Sequence, residues 1–156
     1  MDDSVLDAGE REFLAALIEL GVPFLVIGMS AALMEGATGS TQDIDLWFES
    51  IADPRIAEAA QKAGGVFVSG SFGMAPPGVG GGRIGDRFDI VTHADGLRSF
   101  REEYAEARDY EIDGQRVRVL PLERIIASKQ ASGRPKDRAV LPLLEEALRA
   151  RESEQG

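Results

Sequence analysis

Two aspartates one residue apart, Asp43 and Asp45, stand in the segment TQDIDLWFES, residues 41 to 50, which otherwise reads as a buried strand. Side chains alternate faces along a strand, so Ile44, Leu46 and Phe48 point one way while Asp43, Asp45 and Trp47 point the other. The two Cα atoms are then roughly 6.6 Å apart, which lets both carboxylates converge on one cation. Without a cation, two like charges beside a core strand raise each other's pKa and destabilise the fold. Mg²⁺ suits such a pair, because it takes oxygen ligands and keeps waters or substrate phosphates in its octahedron. The plainer reading of an isolated DxD is a solvent-exposed acidic edge, and the pair alone does not decide between the two.

The company it keeps is more informative. A second strand, FDIV, carries Asp89 between Phe88 and Ile90, so a third carboxylate is available to the same site. Upstream, VIGMSAALMEG passes from strand to helix through Gly28, where backbone amides and a helix N-terminus can hold a phosphate and Ser30 can add a hydroxyl. Read alone, Gly28 is more often a plain turn glycine. Further on, Leu122, Ile125, Ile126 and Lys129 follow i, i+3, i+4, i+7 spacing, which puts an ammonium on an apolar helical stripe. Either its stem snorkels to water, or the charge meets the carboxylate cluster or a triphosphate; the three aspartates favour the second. In GRPKD, Arg134 and Lys136 supply either a cationic lip for phosphates or a solvated helix start, with Asp137 favouring that start.

These residues need elements to carry them. Residues 4 to 20 place Val5, Leu6, Phe13, Leu14, Leu17, Ile18 and Leu20 at largely helical spacing, and Gly21 follows as a stop. PFLVIG, residues 23 to 28, is a short apolar run expected as a central strand. SAALMEG predicts a short helix ending near Gly36, and ATGSTQ is turn chemistry leading into the aspartate strand. Pro54 opens a helix that runs to a glycine stop. Residues 64 to 85 hold about half of the 18 glycines; after a short strand around Val66–Val68 they predict a mobile loop, either a surface linker or a segment closing over the site. RFDIVTH is a strand. EARDYEIDGQRVRVLP is a β-hairpin turning at Asp113-Gly114. Gly133 stops one helix, Pro135 starts the next, and Pro142 is expected to kink or restart it.

Composition sets limits. A chain of 156 residues, 44% hydrophobic and 28% charged, fits one globular domain with an ordinary core. It contains no cysteine, which excludes disulfides and thiolate metal sites. The opening MDDSVLDAGE lacks a basic region followed by an apolar stretch, and no run of about 20 apolar residues occurs, so the expectation is a soluble cytoplasmic protein without membrane contact. A formal charge of -10 repels a phosphate backbone at long range and argues against an extensive nucleic-acid surface. GVGGGR lacks the GK[ST] ending of a Walker A loop, and His93 is the only histidine, which leaves little support for a histidine metal cage or a serine triad.

The order VIGMS, twelve residues, DIDLW and then FDIV resembles the DNA polymerase β-type nucleotidyltransferase superfamily in its minimal single-domain forms, some of them toxin-like. LPLERIIASKQASGRPKD is similar to the tail of that subgroup, so the resemblance covers roughly residues 22 to 148. It implies one domain over residues 1–156 with an α/β (α+β) nucleotidyltransferase fold, a mixed β-sheet flanked by helices. It also implies Mg²⁺-dependent transfer of NMP from ATP or another NTP to an acceptor: a small molecule, a protein or a tRNA end. Asp43 and Asp45 would hold the metal and triphosphate, and Asp89 would complete the metal site near the attacking group or act as its base. Gly28, Ser30, Thr41, Lys129 and Lys136 are the nucleotide-binding candidates. Two positions depart from the pattern. Met29 stands where glycine or serine usually follows Gly28, and Gly39 where related forms often carry arginine. These keep a second class in view, a catalytically silent module of the same fold that binds nucleotide or a protein partner, as an antitoxin-type or regulatory module would. A metal-dependent phosphohydrolase using the same carboxylates is the third.

Overall fold

The computed structural model describes residues 6–69 and 77–155. In chain order its elements are α1 (Ala8–Glu19), β1 (Phe24–Ile27), α2 (Gly28–Met34), β2 (Ile44–Phe48), α3 (Pro54–Lys62), β3 (Val66–Val68), β4 (Gly78–Gly80), β5 (Phe88–Val91), α4 (Phe100–Ala105), β6 (Arg108–Ile112), β7 (Gln115–Val119), α5 (Leu122–Ser132) and α6 (Pro135–Gln155). The strands form one mixed sheet in the order β3-β4-β5-β2-β1-β7-β6. β2 is antiparallel to β1 and parallel to β5, and β1 is parallel to β7. Helices α1 and α3 pack on each other, while α5 packs on α2 and α6. The expected class, a mixed sheet flanked by helices, is the one observed.

Central position explains the composition of β1, whose four residues FLVI are all buried. On β2 the burial alternates as the sequence predicts: Ile44, Leu46 and Phe48 enter the core, while Asp45 and Trp47 stay half-buried on the other face. Phe13 of α1 meets Phe88 of β5, and Phe24 meets Phe48, so aromatic contacts join helix to sheet and strand to strand. The hairpin turns where expected, with Asp113 and Gly114 both at positive φ (49° and 83°) and Ile112 opposite Gln115, the conformation a two-residue primed turn requires.

Three expectations need correction. The first helix starts at Ala8, not near residue 4: Asp7 is its N-cap, and the Asp7 amide donates to Glu10 Oε1 at 2.8 Å, closing the first turn from both sides. Leu6 is buried ahead of the helix, and Val5 lies outside the described residues. The glycine-rich stretch is not loop throughout. Residues 70–76 lie outside the described part, but β4 follows at once, Val79 and Ile84 are buried, and Gly81 and Gly85 form a bridge. Glycine serves close packing here: a Cβ on Gly65 would lie 2.4 Å from Ile84 Cδ1, and one on Gly82 would lie 2.1 Å from the Gly64 carbonyl oxygen. Finally, α6 does not restart at Pro142 but runs through it. Pro142 is exposed, so water can satisfy the carbonyl deprived of its N–H partner.

Three buried glutamates fasten distant segments to this frame. Glu10 binds Arg87, which precedes β5. Glu103 on α4 takes Arg98 and, from α5, Arg124. Glu35, at the end of α2, accepts from Arg108 and Tyr110 of β6 and from the Leu122 amide that opens α5, with Arg151 of α6 at 3.5 Å. A buried carboxylate is tolerable only with such partners.

Candidate functional site

The turn at Gly28 sets the geometry. Its φ of +65° carries the chain from β1 into α2, and a Cβ at this position would sit 2.1 Å from Asp45 Oδ2. Glycine is required for both reasons, the backbone conformation and the carboxylate lying against its Cα. Ser30 stands two residues further on. Its buried hydroxyl donates to the Ile27 carbonyl at 2.8 Å and accepts from the Asp45 amide at 3.2 Å. It therefore ties the start of β2 to the β1–α2 turn and orients the Asp45 backbone. Thr41 does similar work for Asp43, donating to its carbonyl (3.2 Å) and accepting from its amide (3.3 Å).

Parallel pairing of β2 and β5 puts Asp89 directly opposite Asp45. With Asp43 one residue ahead of β2, the three carboxylates meet. Burial, followed by the charges of Asp89 and Asp43, pushes the Asp45 carboxyl up to about 6, with Lys129 and Lys136 opposing the rise. Asp89 is also raised, by partial desolvation and by the Asp43 carboxylate within hydrogen-bonding reach. Asp45 is thus a carboxylate whose ionised form lacks compensation.

The trio opens into a cleft of about 570 Å³. Its lining includes Gly28, Met29, Thr41, Asp43, Asp45, Asp89, Lys129, Arg134, Lys136 and Asp137, together with His93 and Asp95 beyond β5 and Ser128 and Ser132 from α5. Seven of the eight residues singled out from the sequence face one space, drawn from five segments of the chain. Ser30 is the exception: it lies behind the wall, with its hydroxyl engaged by backbone. None of residues 77–85 lines the cleft, so the described part of the glycine-rich segment does not cover it. Sequence reading missed Asp137 as a cleft residue. It is buried, and accepts from Lys129 Nζ at 3.1 Å, Ser132 Oγ at 2.5 Å and Arg134 Nε at 3.1 Å. Burial raises its pKa, but the hydrogen bonds from Ser132 and Lys129 outweigh this and leave it below the ordinary carboxylate range. Among the described residues the ion pair of Lys129 is with Asp137, across the α5–α6 junction, while its charge also acts on Asp45. Lys136 is exposed and has no hydrogen bond or ion pair among the described residues. His93 stands at the mouth, exposed, at 3.1 Å from Asp95.

Among the described residues no three histidine, aspartate or glutamate side chains are already arranged as a metal cage. The donor set nonetheless fits Mg²⁺: hard oxygens only, with the Asp45 and Asp89 carboxyls raised in pKa first by burial and then by neighbouring carboxylates, in a cleft with room for waters and phosphates. That ion is commonly held by one or two carboxylates plus substrate phosphates and needs no preformed protein cage.

Comparison with known proteins agrees on the fold. No family model and no curated protein sequence matches the chain. A crystal structure of ANT(2″)-Ia in complex with adenylyl-2″-tobramycin superimposes with a TM-score of 0.53 and 22% identity over 92% of this chain and 90% of that one. A solution structure of the antibiotic-resistance factor ANT(2″)-Ia gives 0.49 and 21% over 93% and 91%. The chain has a nucleotidyltransferase-type fold. No helix among the described residues is long and apolar enough to cross a membrane.

Proposed function

We propose that the protein is a nucleotidyltransferase that moves NMP from an NTP to a hydroxyl group of a small-molecule acceptor. The observation that carries this reading is the in-register pairing of Asp45 with Asp89, beside Asp43 and the Gly28 turn, in a cleft that Lys129, Arg134 and Lys136 also line. Acidic and cationic groups lining one cleft suit a triphosphate that brings its own counter-cation. The cleft volume lies in the range of small-ligand sites, and the net charge of -10 disfavours a large RNA acceptor. The likeness to a protein complexed with an adenylylated antibiotic supports the same acceptor class.

In this mechanism Asp43, Asp45 and Asp89 would hold a divalent cation, and their oxygen donors would suit Mg²⁺. The bound cation supplies positive charge against the phosphates. Lys129 and Lys136, which line the same cleft, bind the triphosphate. Asp89, exposed at the cleft and raised in pKa, takes the proton of the acceptor hydroxyl as that oxygen attacks the α-phosphorus and pyrophosphate leaves. Thr41 and Ser30 keep the backbones of Asp43 and Asp45 in place.

One observation favours a second reading. Met29 lines the cleft next to Gly28, where phosphates would pass, which suits a module that binds nucleotide or a partner without turnover. Calorimetry with each NTP in Mg²⁺, followed by pyrophosphate release with a panel of polyhydroxylated small molecules, separates the two. Wild type is expected to bind and release pyrophosphate, with affinity falling on the order of tenfold or more in Asp43→Asn and Asp89→Asn. Binding without release supports the silent module, and phosphate release to water alone supports a phosphohydrolase. Equal MgNTP binding by wild type and both variants overturns the site.

A further inference from the structure

We propose that Asp137 is a positioning residue that fixes the Lys129 ammonium at the cleft wall before nucleotide arrives. This deepens the transferase reading and rests on it. Lys129 lies on the apolar stripe of α5, so its stem is buried, with the side chain only 15% exposed. A lysine carries a compact charge on four flexible carbons, and nothing in a helical stripe dictates where that charge ends. The α5–α6 junction decides it. Gly133, at φ +63°, stops α5, and the chain turns at once into α6, so the first turn of α6 brings Asp137 back over the last turn of α5. There Asp137 is 7% exposed and takes hydrogen bonds from Lys129 Nζ, Ser132 Oγ and Arg134 Nε.

A carboxylate that merely favoured a helix start would not need this reach. Asp137 is instead divided between its two oxygens: Oδ1 receives Lys129, while Ser132 and Arg134 occupy Oδ2. Holding Oδ2 from two sides fixes the direction in which Oδ1 presents itself to the amine. At the junction itself the two paired cations, Lys129 and Arg134, outnumber the Asp137 carboxylate, so the cluster keeps a positive charge. Immobilising the ammonium beforehand removes part of the ordering cost of binding a triphosphate, worth about fivefold in affinity.

The chain has three lysines, Lys62, Lys129 and Lys136, so amine labelling has internal controls. Timed acetylation of the intact protein, read by mass spectrometry, is expected to modify Lys129 about tenfold more slowly than the exposed Lys62 and Lys136, in keeping with a charge-assisted hydrogen bond. Asp137→Asn is expected to accelerate Lys129 alone. In calorimetry with MgATP the same variant is expected to weaken binding about fivefold, and to have no further effect in a Lys129→Met background. If Asp137→Asn does not fold, Asp137→Glu, which keeps the charge and displaces it, is taken through the same cycle. Additive losses, or a Lys129 labelling rate unchanged by Asp137→Asn, overturn the inference. Absence of MgATP binding by the wild type sinks the transferase reading, a result distinct from additivity, and removes the role proposed for the held amine with it.

Discussion

Asp45→Asn is expected to make the ligand-free protein more stable at neutral pH while removing its response to nucleotide. The Asp45 carboxyl is raised from 3.8 to about 6, so the folded state holds its proton more tightly than the unfolded chain. The stability contributed by that proton is fully present below 3.8 and is lost as pH rises through about 6. At about 1.4 kcal/mol per pH unit, ionisation costs at most about 3 kcal/mol. The side chain is partly exposed at the cleft and screened by water, which reduces the expected effect to about 1–1.5 kcal/mol. Asparagine mimics the protonated form, and Ser30 still binds the residue 45 amide. Thermal unfolding in EDTA should therefore give coincident midpoints for wild type and variant near pH 4. By pH 7.5 the variant should unfold about 3–5 °C higher. Adding MgATP should then raise the wild-type midpoint and leave the variant unmoved. A variant less stable than wild type at pH 7.5, or a gain of equal size at both pH values, would refute the argument that Asp45 is held ionised against its surroundings.

Two further outcomes follow from the frame. Gly28→Ala places a methyl 2.1 Å from Asp45 Oδ2 at a φ of +65°, so chemical denaturation should show a loss of about 2 kcal/mol together with loss of MgNTP binding. Burial raises the Glu103 carboxyl, but hydrogen bonds from Arg124 and Arg98 prevail and bring it down to about 2; its contribution is present above about 4.5 and lost as pH falls through about 2. Glu103→Gln should cost about 2 kcal/mol at pH 7 and flatten acid unfolding over that interval.

What could be read from the sequence was what depends on period and on local backbone chemistry. Alternation along IDLWF put Asp43 and Asp45 on the face away from the core, Asp113-Gly114 marked the hairpin, and Gly133 ended α5. The meeting of Asp89 with that pair depends on the parallel register of β2 and β5, which no local pattern encodes, although an aspartate flanked by apolar strand residues signalled it. Side-chain contacts between remote segments left no such sign. Glu10, Glu35 and Glu103 look like ordinary surface charges until their arginines are placed, and Asp137 looks like a helix-start acid until the elbow at Gly133 folds it onto Lys129. Glycine composition misled over residues 77–85 because close backbone packing and chain freedom call for the same residue.

The partners of Glu35 come from residues 108, 110, 122 and 151, so this acid at the end of α2 cannot be fully neutralised until residue 151 is available. A nascent chain carries that uncompensated charge until α6 has been made. The helix bearing the Gly28 turn therefore completes its anchoring only when α6 docks, and the end of the sheet that carries Asp43, Asp45 and Asp89 is expected to become rigid late.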